Sequence, residues 1–334
     1  MKRITLVLAG LAVAGLATIA ATLPGAAQSK HKIVFNLSWL PQGSVAGIIV
    51  AIDKGYYAAE GLEVSAVRGY GGLRTVNEID QGMFEFGYGN PDGIILNRSK
   101  GGKTRMVGSI NATNPGGVCF VEDRIKPKTV QELKGLTLGA AAGTPVTTTF
   151  PALLALNGLP ADHVKIVQLQ GSVIYPALVN GTIDIYECWL GSGKPILEHQ
   201  AKKAGVKIGF LPYEAMNLRN FGSGVTVTDE TIAKRPEVVR GFLKATYRGY
   251  RDMIKDPNEG ADITKRLFPE SDRAVVYDQI LDINTLIRGP GTDEHGLGYI
   301  DPQRAKNTFD FVSRTMKLEA VTVDDIYTNR FISK

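Results

Sequence analysis

The sequence predicts an α/β protein built as two lobes with a ligand cleft between them. Short apolar runs alternate with helical stretches along most of the chain, the pattern of α/β architecture. The alternation falls into two series of similar length. Gly-rich crossings at Asn114-Pro-Gly-Gly117 and Phe221-Gly-Ser-Gly224 separate them.

The first 27 residues read as an export signal rather than as part of the fold. Lys2 and Arg3 precede an Ala/Leu/Val/Gly run of 18 residues, and Pro24-Gly-Ala-Ala27 offers small residues for cleavage. An uncleaved anchor would need a run of that length too. The Ala and Gly content and the cleavage-like end favour a removed signal, and no cysteine near the cut offers a lipid-attachment site.

Strands are expected at 33–37, 62–67, 84–88 and 106–110, with helices at 45–53, 73–81 and 93–99. A new strand at 118–122 opens the second series. Thr129 and Glu132 have capping-box spacing for a short helix at 129–133. Strands at 136–141, 164–169, 183–188 and 206–211 alternate with helices at 145–157, 174–180 and 195–204. After a strand at 225–227 the chain turns helical, with the clearest amphipathic period at 236–254. The expected organisation is 28–116 with 222–334 as lobe one and 117–221 as lobe two.

Without Lys2 and Arg3 the formal charge of +5 falls to +3, too diffuse for a nucleic-acid partner. Cys119 and Cys188 are 69 residues apart, and an oxidising compartment permits a bridge or leaves two buried thiols. The histidines His31, His163, His199 and His295 share no metal-ligand spacing, so no metal or other cofactor is implied and solvated rings are expected. No nucleophile elbow, phosphate loop or dinucleotide fingerprint occurs. Gly69-Tyr-Gly-Gly72 lacks phosphate-loop spacing and reads as a flexible turn before a helix. No catalytic residue is assigned.

Four loops that follow predicted strands carry the candidate site, because open α/β sheets bind ligands at the carboxyl ends of their strands. The first holds Trp39, Gln42 and Ser44, with Trp39 either core filler or a stacking surface. The second holds Tyr88 and Asn90, with Asp92 as a helix cap. The third contains Thr144 as an N-cap and Thr147 beyond it, near backbone N–H groups suited to an anion or a ring edge. The fourth, Tyr186-Glu-Cys-Trp189, places Glu187 beside Trp189. This combination suits a flat ring with N–H donors, while a buried, satisfied Glu187 between the lobes is the competing account. Phe221 in the return crossing is a further candidate wall. Arg219 keeps an anionic ligand open.

The segment 39–64 resembles the opening of the periplasmic solute-binding proteins for thiamine pyrimidine precursors, aliphatic sulfonates and nitrate. Val76-Asn-Glu-Ile-Asp-Gln-Gly-Met-Phe-Glu-Phe-Gly87, the Leu-Lys-Gly within 130–139, and Ala177-Leu-Val-Asn-Gly-Thr-Ile-Asp184 are similar to further elements of that superfamily. Gly298-Tyr-Ile-Asp301 and Asp325-Ile-Tyr-Thr-Asn-Arg-Phe331 resemble the tail of its pyrimidine branch. The resemblance implies a type II periplasmic-binding fold. It also implies a periplasmic protein that delivers a small molecule to an ABC transporter permease and meets the membrane only through it. Val45 stands where pyrimidine-branch members commonly carry histidine, and the cysteine-rich stretch of the pyrimidine-synthase relatives is missing. The expected ligand is a small planar nitrogenous molecule. A small organic anion (sulfonate, nitrate or carboxylate) is the alternative, an enzyme related to the pyrimidine synthases is a rival from another class, and a sensing subunit is a third.

Overall fold

A computed structural model describes residues 30–141, 146–318 and 321–334. Two five-stranded mixed sheets organise them. The first contains β1 (His31–Asn36), β2 (Leu62–Val67), β3 (Phe86–Gly89), β4 (Thr104–Ser109) and β10 (Gly224–Thr228), in the order β2-β1-β3-β10-β4. The second contains β5 (Gly116–Val121), β6 (Thr137–Ala141), β7 (Lys165–Leu169), β8 (Ile185–Trp189) and β9 (Ile208–Pro212), in the order β7-β6-β8-β5-β9. The two orders are equivalent. In each, the strand that enters from the other sheet takes the fourth place and runs antiparallel to both neighbours.

The amphipathic period of 236–254 becomes the 20-residue helix Pro236–Lys255, whose buried face includes Val239, Phe242, Leu243, Thr246, Tyr250 and Met253. Phe242 stacks on Phe35 of β1 and Phe86 of β3, with ring centroids 5.6 and 4.4 Å apart. Burying three such rings stabilises by several kcal/mol, at about 25 cal/mol per Å² of apolar surface. The helix Ala46–Asp53 crosses this long helix closely. A Cβ on Gly249 would lie 2.1 Å from the Gly47 carbonyl oxygen, so glycine is required at that crossing.

In the second sheet Cys119 and Cys188 form a disulfide between adjacent antiparallel strands, which resolves the two readings left open by the sequence. The short helix expected at 129–133 is a 3-10 turn, Gln131–Leu133. Its capping box does not form, since the Thr129 hydroxyl and the Lys128 N–H both donate to Glu132. His163 is not solvated either: it is 8% exposed, and its ring faces the carbonyls of Val130 and Gln131. Among the described residues no helix is long and apolar enough to cross a membrane.

Candidate functional site

The site begins where β1 ends. Asn36 is 1% exposed, its Oδ1 accepts from the Ser38 N–H at 2.9 Å, and its Nδ2 donates to Glu78 at 2.8 Å. This holds Ser38 at φ +67, a left-handed conformation unusual for a residue with a Cβ. The reversal turns Trp39 outward, 48% exposed. Gly69 closes the turn from behind, because a Cβ there would sit 2.3 Å from Asn36 Oδ1. The Gly71 N–H donates to the Ser38 carbonyl at 2.6 Å. The Gly69–Gly72 turn is thus a wall of the cleft, packed at Gly69 too closely for any side chain.

The opposite wall comes from β8. Period-two alternation sends Tyr186 and Cys188 into the second lobe's core, and leaves Glu187 and Trp189 on the other face. Trp189 is 43% exposed. Trp39, Gln42, Ser44, Tyr88, Asn90 and Trp189, drawn from both sheets, line one cavity of about 340 Å³. The two tryptophans are the only ones in the chain.

Tyr88 does not offer a stacking face. Its ring is core, and its hydroxyl accepts from Asn111 Nδ2 at 3.1 Å with Ser44 and Ser223 also in reach. Burial pushes this phenol up to about 12. Asn111, 3% exposed, lines the same cavity with its Oδ1 unpartnered. Asn90 occupies the N-cap of the helix Pro91–Ser99 but makes no cap bond, and its Oδ1 is also buried without a partner. Such acceptors cost about 1–3 kcal/mol each until a donor arrives. Gln42 is engaged at both ends: Nε2 donates to Ser44 at 3.0 Å, and Oε1 accepts from Ser192 of the other lobe at 3.1 Å.

A wider cavity of about 1170 Å³ continues outward and shares Trp39, Gly71, Gly72 and Asn90 with the first. Thr147, Asp92, Tyr70 and apolar Leu73, Met83, Leu96 and Met316 line it. Tyr70 lies beneath the guanidinium groups of Arg68 and Arg74, 4.7 and 5.0 Å from its ring centre.

Glu187 accepts from the Tyr213 hydroxyl at 2.6 Å. Burial pushes its carboxyl up to about 7; the tyrosine bond opposes the shift and the charge of Asp92 adds to it. Burial raises Asp92 to about 6. Two carboxyl groups from different lobes therefore sense one another. Phe221 lies elsewhere. It is 2% exposed in a core cluster with Ile94, Ile95 and Met106, because the return crossing turns its side chain under the first sheet. Thr144 lies outside the described residues. Arg219 borders a separate crevice with Asn217, Asn220 and Asn307.

Sequence reasoning did not single out Asn111, Ser192, Ser223 or Tyr70. Asn111 had a usable signal: it follows a predicted strand end as Trp39 does. The two serines had none, because only the pairing of the sheets brings them to the cavity.

Two lobes of matched topology, with an aromatic cavity lined from both, define a periplasmic-binding-protein-type solute binder. The chain belongs to the family described as NMT1/THI5 like, which it matches over residues 42–260. It is 26% identical over 326 residues to the riboflavin-binding protein RibY of Chloroflexus aurantiacus, covering 95% of this chain and 90% of that one. A formylaminopyrimidine-binding protein of Halalkalibacterium halodurans is 23% identical over 266 residues, 79% and 78% of the two chains. A 4-amino-5-hydroxymethyl-2-methylpyrimidine phosphate synthase of Schizosaccharomyces pombe is 26% identical over 249 residues, 69% and 67% of the two chains. The solved structure of the periplasmic aliphatic sulphonate binding protein SsuA from Escherichia coli shares the fold with a TM-score of 0.67 at 15% identity, over 89% of this chain and 91% of that one.

Proposed function

We propose that this protein is a non-catalytic receptor of the periplasm that closes over a flat, N–H-bearing heterocycle and delivers it to an ABC transporter permease. The observation that carries the reading is the chemistry of the inner cavity. Trp39 and Trp189 border it from opposite lobes, and two buried carboxamide oxygens, on Asn90 and Asn111, lack donors. A planar ring between the indoles, with its donor edge toward the asparagines, would satisfy both features. The wider apolar cavity has room for a second ring or a side chain. The riboflavin-binding and formylaminopyrimidine-binding relatives support the same class of ligand.

A small organic anion is the second reading, favoured by the fold shared with SsuA. Against it, no Lys, Arg or His is among the described residues lining the inner cavity. Arg74, on the outer cavity, is already paired with Glu78 at 2.7 Å. Native mass spectrometry of protein purified from periplasm, followed by a thermal-shift screen, tests the proposal. Riboflavin and 4-amino-5-hydroxymethyl-2-methylpyrimidine would be compared with ethanesulfonate and nitrate. Stabilisation by a heterocycle alone is the expected outcome. Stabilisation by an anion alone would overturn it.

A further inference from the structure

The loops that carry the two tryptophans are seated on one helix. Gly43 follows Trp39 by four residues, and its N–H donates to Gln279 Oε1 at 2.9 Å. A Cβ on Gly43 would lie 2.3 Å from the Gln279 Cβ, so the loop presses directly on the helix Arg273–Leu286. From the other lobe, Gly191 follows Trp189 by two residues and presses on the same helix one turn later. Its φ is +70, and a Cβ there would lie 2.4 Å from Ile283 Cδ1.

Hydrogen bonds join these two seats. Gln279, 2% exposed, donates from Nε2 to the Ser192 carbonyl at 2.8 Å while it accepts from Gly43. The Ser192 hydroxyl donates to Gln42 Oε1, and the Gly191 N–H donates to Asp282 at 2.9 Å. Leu190 completes the contact by packing against the core of the first lobe. His199 with Asp278 at 2.6 Å, and Lys194 with Asp282 at 4.0 Å, flank the seam.

We propose that Gln279 is a positioning residue that locks the two lobes together and sets the spacing of Trp39 and Trp189. It touches no part of the inner cavity itself. Its two amide bonds join the Trp39 loop to the Trp189 loop, and its helix supplies the common seat. A separate cavity of about 300 Å³ behind the seam, lined by Gln42, His199 and Gln279 among others, gives solvent a way to the lock. When the lobes part, water can replace the broken bonds, which keeps their net contribution small and the lock reversible. The proposal rests on lobe closure and not on which solute is bound.

Gln279→Met keeps side-chain length and removes both bonds. Only the Ser192 bond crosses between the lobes, and its loss shifts the ratio of closed to open forms roughly fivefold toward open. Two ligand-free readouts apply to the mature protein: radius of gyration by small-angle scattering, and acrylamide quenching of the two tryptophans. The expected result is a larger radius and stronger quenching with unchanged far-ultraviolet circular dichroism. Gln42→Met, which removes the other bond from the first lobe to Ser192, should move both readouts the same way and serves if Gln279→Met does not fold. With a folded variant, unchanged scattering and quenching would overturn the lock. A ligand arm with riboflavin is run separately: failure to bind it bears on the proposed solute, while the ligand-free arm still decides the lock.

Discussion

Replacing Glu187 by Gln tests the electrostatic account of the cleft. Folded Glu187 titrates at about 7, against an ordinary value of 4.5. Between those values the folded protein holds a proton that the unfolded chain has lost, so stability falls as pH rises through that window. Asp92, moved from 3.8 to about 6, adds in the same direction over a lower range. The whole displacement of Glu187 corresponds to about 3 kcal/mol. Partial solvent access brings the expected effect to about 1–2 kcal/mol. Gln at this position still accepts from the Tyr213 hydroxyl but carries no charge to desolvate. Glu187→Gln should therefore be more stable than the parent at pH 7.5 by about 1–2 kcal/mol and little different at pH 5. Urea unfolding of the ligand-free protein at both pH values reads this directly. If the variant lost stability between pH 5 and 7.5 as steeply as the parent, Glu187 would not be the group that titrates.

Three further outcomes follow from the geometry. Reduction of the Cys119–Cys188 bridge, or its replacement by paired serines, releases a closed loop spanning 69 positions. Chain entropy for a loop of that size is worth about 4 kcal/mol, so thermal unfolding should move down sharply under reductant; an unchanged transition would show that the bridge adds nothing. Trp39→Ala and Trp189→Ala each remove an exposed ring, so both should leave the unfolding midpoint nearly unchanged. If the rings stack on ligand, each should weaken a bound heterocycle roughly tenfold to a hundredfold by calorimetry, and equal affinity in both variants would remove the tryptophans from the site. Gly249→Ala places a methyl group 2.1 Å from a backbone oxygen. Denaturant unfolding should show a loss of about 1–3 kcal/mol, and a neutral result would mean that the two helices can separate freely.

Much of this architecture was legible because its strands are short, apolar and punctuated by Gly and Pro. All ten strands among the described residues lie at or within two residues of where apolar runs placed them, from β2 at Leu62–Val67 to β10 at Gly224–Thr228. Strand-end reasoning also brought Trp39, Gln42, Ser44, Tyr88, Asn90 and Trp189 to one cavity. It did not anticipate how each side chain is used. Tyr88 faces inward because β3 is covered on both sides, so only its hydroxyl reaches the cavity. Phe221 follows a crossing whose direction no local pattern encodes, and it enters the core.

Local periodicity and composition, which act through backbone geometry and the burial of apolar faces, determined the α/β class, the two series and the strand ends where a ligand could sit. Tertiary structure alone decided the rest. The pairing of Cys119 with Cys188, the facing of Asp92 and Glu187, and the seat of Gly43 and Gly191 on one helix each join residues distant in sequence. Such contacts depend on strand order and on how two lobes meet, and no short-range pattern in the chain records either.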